Sequence, residues 1–144
     1  LTGRKEYNYC KGIDAYEAWK NALLQDSEFF VTDNLFILFK KMLCQMDAMT
    51  CVADGRNNAA LFFRNLAKAD EENKEKCIKI AEAFTKTGEL MEKMRNLFGD
   101  ASDMEGQMEK LADKSVRAEV CKLIDLAKKS DAEALELMKG MSMR

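Results

Sequence analysis

The sequence predicts an all-α fold, an antiparallel bundle of about five helices, on three observations. The 144 residues include no proline, and the composition is rich in Ala, Leu, Met, Glu and Lys, all strong helix formers. Apolar residues recur every three or four positions, the period of one helix face. Two Ser-Asp-x-Glu stretches supply helix-start signals of the capping-box kind.

The first predicted helix begins near Ile13 and carries Ile13, Tyr16, Trp19 and Leu23 on one face, with Asp26 and Ser27 marking a turn after it. Thr32 and Asp33 can cap the second, in which Leu35, Leu38, Phe39, Met42, Met46 and Met49 keep the helical spacing and which extends as far as Ala67. The third runs from about Glu71 to Phe98 on Cys77, Ile80, Ala81, Phe84, Met91, Met94 and Phe98, with Gly99 as its stop. Ser102-Asp103-Met104-Glu105 opens a fourth, whose apolar face holds Met108, Leu111, Val116, Val120, Leu123, Ile124 and Ala127. Ser130-Asp131-Ala132-Glu133 repeats the pattern and is read as the start of a short fifth helix with Leu135, Met138 and Met141. Short loops between such helices imply antiparallel neighbours. No repeat or long linker divides the chain, so residues 1–144 are read as one domain.

What is missing narrows the chemistry. There is no histidine, which excludes Ser-His-Asp and Cys-His nucleophiles, His-ligated haem or zinc, and the Glu-x-x-His di-iron bundle. The 7 glycines are scattered and form no phosphate-binding loop. The expectation is therefore a non-enzymatic chain with no catalytic residue, metal site or cofactor. Basic and acidic side chains, 23 and 25, are interspersed, unlike a nucleic-acid footprint or a polybasic membrane patch. No apolar run approaches the roughly 20 residues of a membrane span.

Five cysteines, at 10, 44, 51, 77 and 121, form no Cys-x-x-Cys pair, which suits a reducing, cytoplasmic setting. Cys44 and Cys51 would share a helix face about 10.5 Å apart, too far to bridge, and are expected to be small buried hydrophobes. The opening Leu1-Thr2-Gly3 lacks Met, so the chain is read as a fragment, the C-terminal part of a larger protein.

One stretch breaks the apolar pattern. In CQMDAMTCVADGRNNAALFF, Cys44 to Phe63, the second helix's seam runs Met42, Met46, Met49, Ala53, Arg56, Ala60, Phe63, Ala67, so Arg56 falls where a core residue belongs. A guanidinium without partners costs several kcal/mol to desolvate, so it must find an acid, carbonyls, water or a ligand. Asp47, Asp54 and Asn58 lie one stripe over, and Asp47, Asp54, Arg56, Asn57 and Asn58 would together make a polar pocket inside the bundle. Three outcomes stay open: a ligand pocket, an internal ion pair of Arg56 with Asp47 or Asp54, or a bend at Gly55 that carries Arg56 to the surface. Ten of the twelve aromatic residues precede position 70, and an aromatic end beside a few polar groups is the usual make-up of a small-molecule pocket. The candidate ligand site is accordingly Tyr16, Trp19, Asp47, Asp54, Arg56, Asn57 and Asn58.

GIDAYEAWKNALL, from Gly12 to Leu24, and DGRNNAALFFRNLA, from Asp54 to Ala67, resemble the helical C-terminal region of bacterial proteins whose N-terminal part resembles the papain-like butirosin biosynthesis protein H family. Gly12, Ala15, Tyr16 and Trp19 match the first part of the pattern; Arg56, Ala59, Ala60 and Phe63 match the second. The reactive Cys and His of such a domain would lie upstream, and this chain has no His, so no catalytic role carries over. The resemblance implies an accessory or sensing region of a larger bacterial protein. The expected function is thus a non-catalytic ligand-binding or sensing module, with a small-molecule ligand and an upstream domain of the same protein as partners. Met138, Met141 and Met143 offer a surface for that domain or for a homodimer. The alternatives are the helical part of an enzyme with an upstream Cys/His domain, and a purely structural oligomerising bundle.

Overall fold

The computed structural model describes residues 10–30 and 35–141. Thr32 and Asp33, expected to cap the second helix, and Met143 lie outside the described residues. Among those described, five α-helices follow in order: α1 Ile13–Leu23, α2 Leu35–Ala69, α3 Lys74–Leu97, α4 Met104–Ala112 and α5 Lys114–Lys139. A single 3-10 turn, Asp26–Glu28, follows α1. No strand occurs among the described residues, and none of their helices is long and apolar enough to cross a membrane.

The first three helices follow the apolar periodicity closely. In α2, Met42, Met49, Ala53, Ala60, Phe63 and Ala67 are buried, and Met46 and Arg56 are half-buried on the same seam. The helix is unbroken across Gly55, which faces open space, so no bend moves Arg56 off its register. At the turn into α3, the Asp70 carboxylate accepts from the backbone N–H and side chain of buried Asn73, at 3.1 and 2.8 Å. Gly99 ends α3 as expected: it adopts φ +86°, which a Cβ would disfavour, while its N–H bonds the Asn96 carbonyl.

The C-terminal third departs from the expectation. The predicted fourth helix is cut at Asp113, which has extended backbone and caps α5 by accepting from the Ser115 N–H and hydroxyl, both at 2.7 Å. At the start of α4 the cap is Asp103, accepting from the Gly106 N–H at 2.9 Å, while Ser102 bonds Asp100 instead. Ser130-Asp131-Ala132-Glu133 opens no helix. It lies inside the continuous α5, with Ser130 and Asp131 buried. A capping box acts only where the chain has a reason to stop, and here the apolar face of α5 continues on both sides of it.

Helix α3 packs chiefly against α2 and α5, and α1 lies on α5. Positions descend along α2 as they ascend along α3: Arg64 bonds Thr85, and Asn57 lies against Gly88. The buried side chains form two clusters. The larger gathers Leu23, Phe29, Met42, Met49, Met91, Met94, Phe98, Leu111, Val120 and Ile124; the smaller, toward the α2–α3 turn, gathers Ala60, Phe63, Cys77, Ile80, Ala81 and Ala134. Cys77 and Cys121 are buried, but Cys44 and Cys51, expected inside, are exposed on the outer face of α2. Their stripe is the one that carries Asp47, Asp54 and Asn58, which also face solvent.

Candidate functional site

Between the two apolar clusters lies a polar layer. On each of the three long helices it occupies one seam position between buried apolar neighbours: Arg56 between Ala53 and Ala60 on α2, Thr87 between Ala83 and Leu90 on α3, and Asp131 between Ala127 and Ala134 on α5. Asp131 is the hub. Its Oδ2 accepts from the Tyr16 hydroxyl at 2.7 Å, from Arg56 Nε at 2.8 Å and from Arg56 Nη2 at 2.7 Å. Its Oδ1 accepts from the Thr87 hydroxyl at 2.9 Å, and the neighbouring Ser130 hydroxyl donates to the Ala83 carbonyl at 2.9 Å. One carboxylate therefore ties α1, α2, α3 and α5 together. No buried side-chain nitrogen or oxygen among the described residues lacks a partner, the condition under which a buried charge is tolerated.

The electrostatics follow from this arrangement. Burial, reinforced by the charge and hydrogen bond of Asp131, pushes the Tyr16 phenol well above the ordinary tyrosine range. Burial alone would depress the Arg56 guanidinium, but its bonds and attraction to Asp131 more than reverse this and hold it protonated. The Phe84 ring lies 5.7 Å from the guanidinium carbon and shields its flank. Ultraviolet difference titration is expected to find one of the three tyrosines protonated until the chain unfolds, and Tyr16→Phe to abolish that resistant step at a cost of about 1–2 kcal/mol. The raised group is neutral when protonated, so its contribution to stability is complete below about pH 10 and is lost as pH climbs above it. Reversible titration of all three tyrosines in the ordinary range, with the fold intact, would contradict the buried hydroxyl.

The seven residues expected to form a ligand site separate. Tyr16 and Arg56 meet at Asp131. Trp19 donates from its indole nitrogen to Gln45 Oε1 at 2.6 Å, fixing α1 to α2. Asp47, Asp54, Asn57 and Asn58 are exposed, and only Asn57 reaches inward, where a Cβ on Gly88 would come within 2.6 Å of its Oδ1. The expected pocket inside the bundle is thus replaced by an ion pair, and its acid is Asp131 rather than Asp47 or Asp54. Helix register explains the correction: Asp47 and Asp54 share a stripe that α2 turns outward, whereas Asp131 sits on the inward seam of α5.

A fully buried arginine lies outside the expected set. Arg117, 2% exposed, donates from Nε to the Leu23 carbonyl at 3.0 Å and from Nη1 to the Leu111 and Ala112 carbonyls at 2.8 and 2.7 Å. Its Nη2 meets Asp26 at 2.6 Å, and the Phe29 ring lies 4.7 Å from its guanidinium carbon. It satisfies the last carbonyls of α1 and α4, so the chain can break at Asp113 without glycine or proline. Burial pushes the thiols of both Cys77 and Cys121 up, and Cys121 donates to the Lys20 carbonyl.

The concavity with a binding character lies elsewhere, between the first turns of α2 and α4. Leu35, Phe36, Leu38 and Phe39 face Met104 and Met108 across a cleft of about 630 Å³, with Glu105 and Glu109 on the α4 rim. Leu35, Phe36 and Met104 are 54%, 61% and 51% exposed. Neither carboxylate has a described partner, and the Lys40 ammonium, on the α2 side, sits 4.4 Å over the Phe36 ring. The aromatic residues expected to gather at one end are instead dispersed: Phe36 and Phe39 line this cleft, Tyr16 sits at Asp131, and Phe62 and Phe63 pack near Phe84 toward the other end of α2. No protein-family model, curated protein or solved structure matches the chain.

Proposed function

We propose that this chain is a non-catalytic helical binding module, of the accessory or sensing kind, that binds through the α2–α4 cleft and uses its polar layer to hold the helices that frame it. The observation that carries this reading is the contrast between the two places. Arg56, the charge most suited to grip a ligand, is committed to Asp131, whereas the cleft presents apolar and methionine side chains to water beneath two unpaired carboxylates. Its volume falls in the roughly 300–1,000 Å³ range of small-molecule sites, and methionine lining adapts to varied apolar shapes. A ligand with an apolar body and a cationic end fits this chemistry. Three exposed free thiols, Cys10, Cys44 and Cys51, accord with a reducing, cytoplasmic setting.

The neutral dye Nile red tests the site. It is expected to bind saturably and to lose that binding in a Phe36→Gln/Met104→Gln variant. Both positions are exposed, so the melting behaviour should stay within about 0.5 kcal/mol of the parent. Dye binding that survives the double substitution, or that is lost on Arg56→Met alone, would place the ligand elsewhere and overturn the reading.

A further inference from the structure

A second cleft, of about 610 Å³, lies at the other end of α2, beside the turn into α3. Its floor includes Leu61 and Ile78, 55% and 42% exposed, and its rim carries Arg64, Lys68 and Lys74. Lys74 is paired with Glu71. Arg64 and Lys68 are not paired with any acid: their described bonds go to the neutral Thr85 hydroxyl at 2.7 Å and the neutral Asn65 side chain at 3.3 Å. Two cations with no ion pair among the described residues thus stand four residues apart on α2, beside exposed leucine and isoleucine, with Glu82 and Glu89 across the adjoining groove from Arg64. On α4, Glu105 and Glu109, two uncompensated anions, also stand four residues apart beside exposed leucine, phenylalanine and methionine. Both pairs have the same spacing of about 6 Å along their helices.

We infer that the α2–α4 cleft receives the Leu61/Arg64/Lys68 face of a second copy of this chain. The inference rests on the reading of that cleft as the binding face and names its occupant. The Arg64 and Lys68 pair matches the Glu105 and Glu109 pair in sign and spacing, with Lys40 on the opposite α2 wall of the cleft as the one like charge, and each pair flanks apolar surface that water would leave on contact. The faces are different patches near opposite ends of α2, roughly 40 Å apart along its axis. The contact pairs two unlike patches, so a second copy laid antiparallel can make it twice in a closed dimer, while copies added end to end leave one free face of each kind.

Sedimentation velocity over a concentration series, at low and high salt, reads this out. The parent is expected to associate into dimers or longer assemblies at low salt and to return toward the monomer at high salt. A Glu105→Lys/Glu109→Lys variant and an Arg64→Glu/Lys68→Glu variant should each self-associate about tenfold or more weakly, because each sets like charges face to face. Mixed in equal amounts, the two should assemble again, since every contact between unlike variants pairs opposite charges. A parent that remains monomeric, or a mixture of the two variants that stays dissociated, would overturn the inference. If Nile red still binds and the Phe36→Gln/Met104→Gln variant still loses it, the cleft remains the binding face and only its occupant is wrong; if dye binding fails as well, both readings fall.

Discussion

Arg117→Met is expected to destabilise the chain by about 3–5 kcal/mol, among the largest effects of any single substitution here. Methionine fills much of the same volume but donates nothing, so the Leu23, Leu111 and Ala112 carbonyls lose their partner together. Two helix ends are opened at once, that of α1 and that of α4, and the break at Asp113 loses its support. Arg117→Lys should not rescue it, because one ammonium cannot reach three carbonyls and Asp26 in the fork geometry of a guanidinium. Urea unfolding measures the loss. A change below about 1 kcal/mol would show that these carbonyls find water when the arginine is removed.

Asp131→Ala is the second. It leaves Arg56, the Tyr16 hydroxyl and the Thr87 hydroxyl without their shared acceptor in the middle of the core. The expected loss is about 2–4 kcal/mol, toward the lower side because the Arg56 side chain is 34% exposed and can turn to water. Asp131→Asn should fall between, since the amide keeps the shape and one acceptor oxygen but must turn a donor toward groups that are donors themselves.

How much of this was legible in the sequence depended on whether the signal was local. The apolar period of α1, α2 and α3 and the glycine stop after Phe98 are local, and the structure follows them. The seam register of α2 placed Arg56 among buried residues correctly. Its partner was another matter, since a register shows that a charge faces inward but not which helix it meets. Asp131 carried a usable signal of the same kind: Val120, Ile124, Ala127, Asp131 and Ala134 continue one face at helical spacing. So did Thr87, between Phe84 and Met91 on α3. Reading Ser130-Asp131-Ala132-Glu133 as a capping box hid the first of these, because a pattern of four residues was allowed to outweigh the longer apolar face. The break at Asp113 has no comparable local mark, for it depends on Arg117 reaching back to carbonyls five and six residues earlier and to α1. The α2–α4 cleft is likewise tertiary, formed by side chains about 70 residues apart in sequence that no periodicity links.

Arg56 is an internal tie to Asp131, and the proposed binding site therefore lies on another face. A double-mutant cycle by urea unfolding tests it most directly, using Arg56→Met, Asp131→Leu and the two combined. Each single change strands the other charge and should destabilise, whereas the double change removes both charges and should return to within about 1 kcal/mol of the parent, giving a coupling of about 2 kcal/mol or more. Additive losses with a coupling below about 0.5 kcal/mol would contradict the tie and return Arg56 to the list of groups free to hold a ligand.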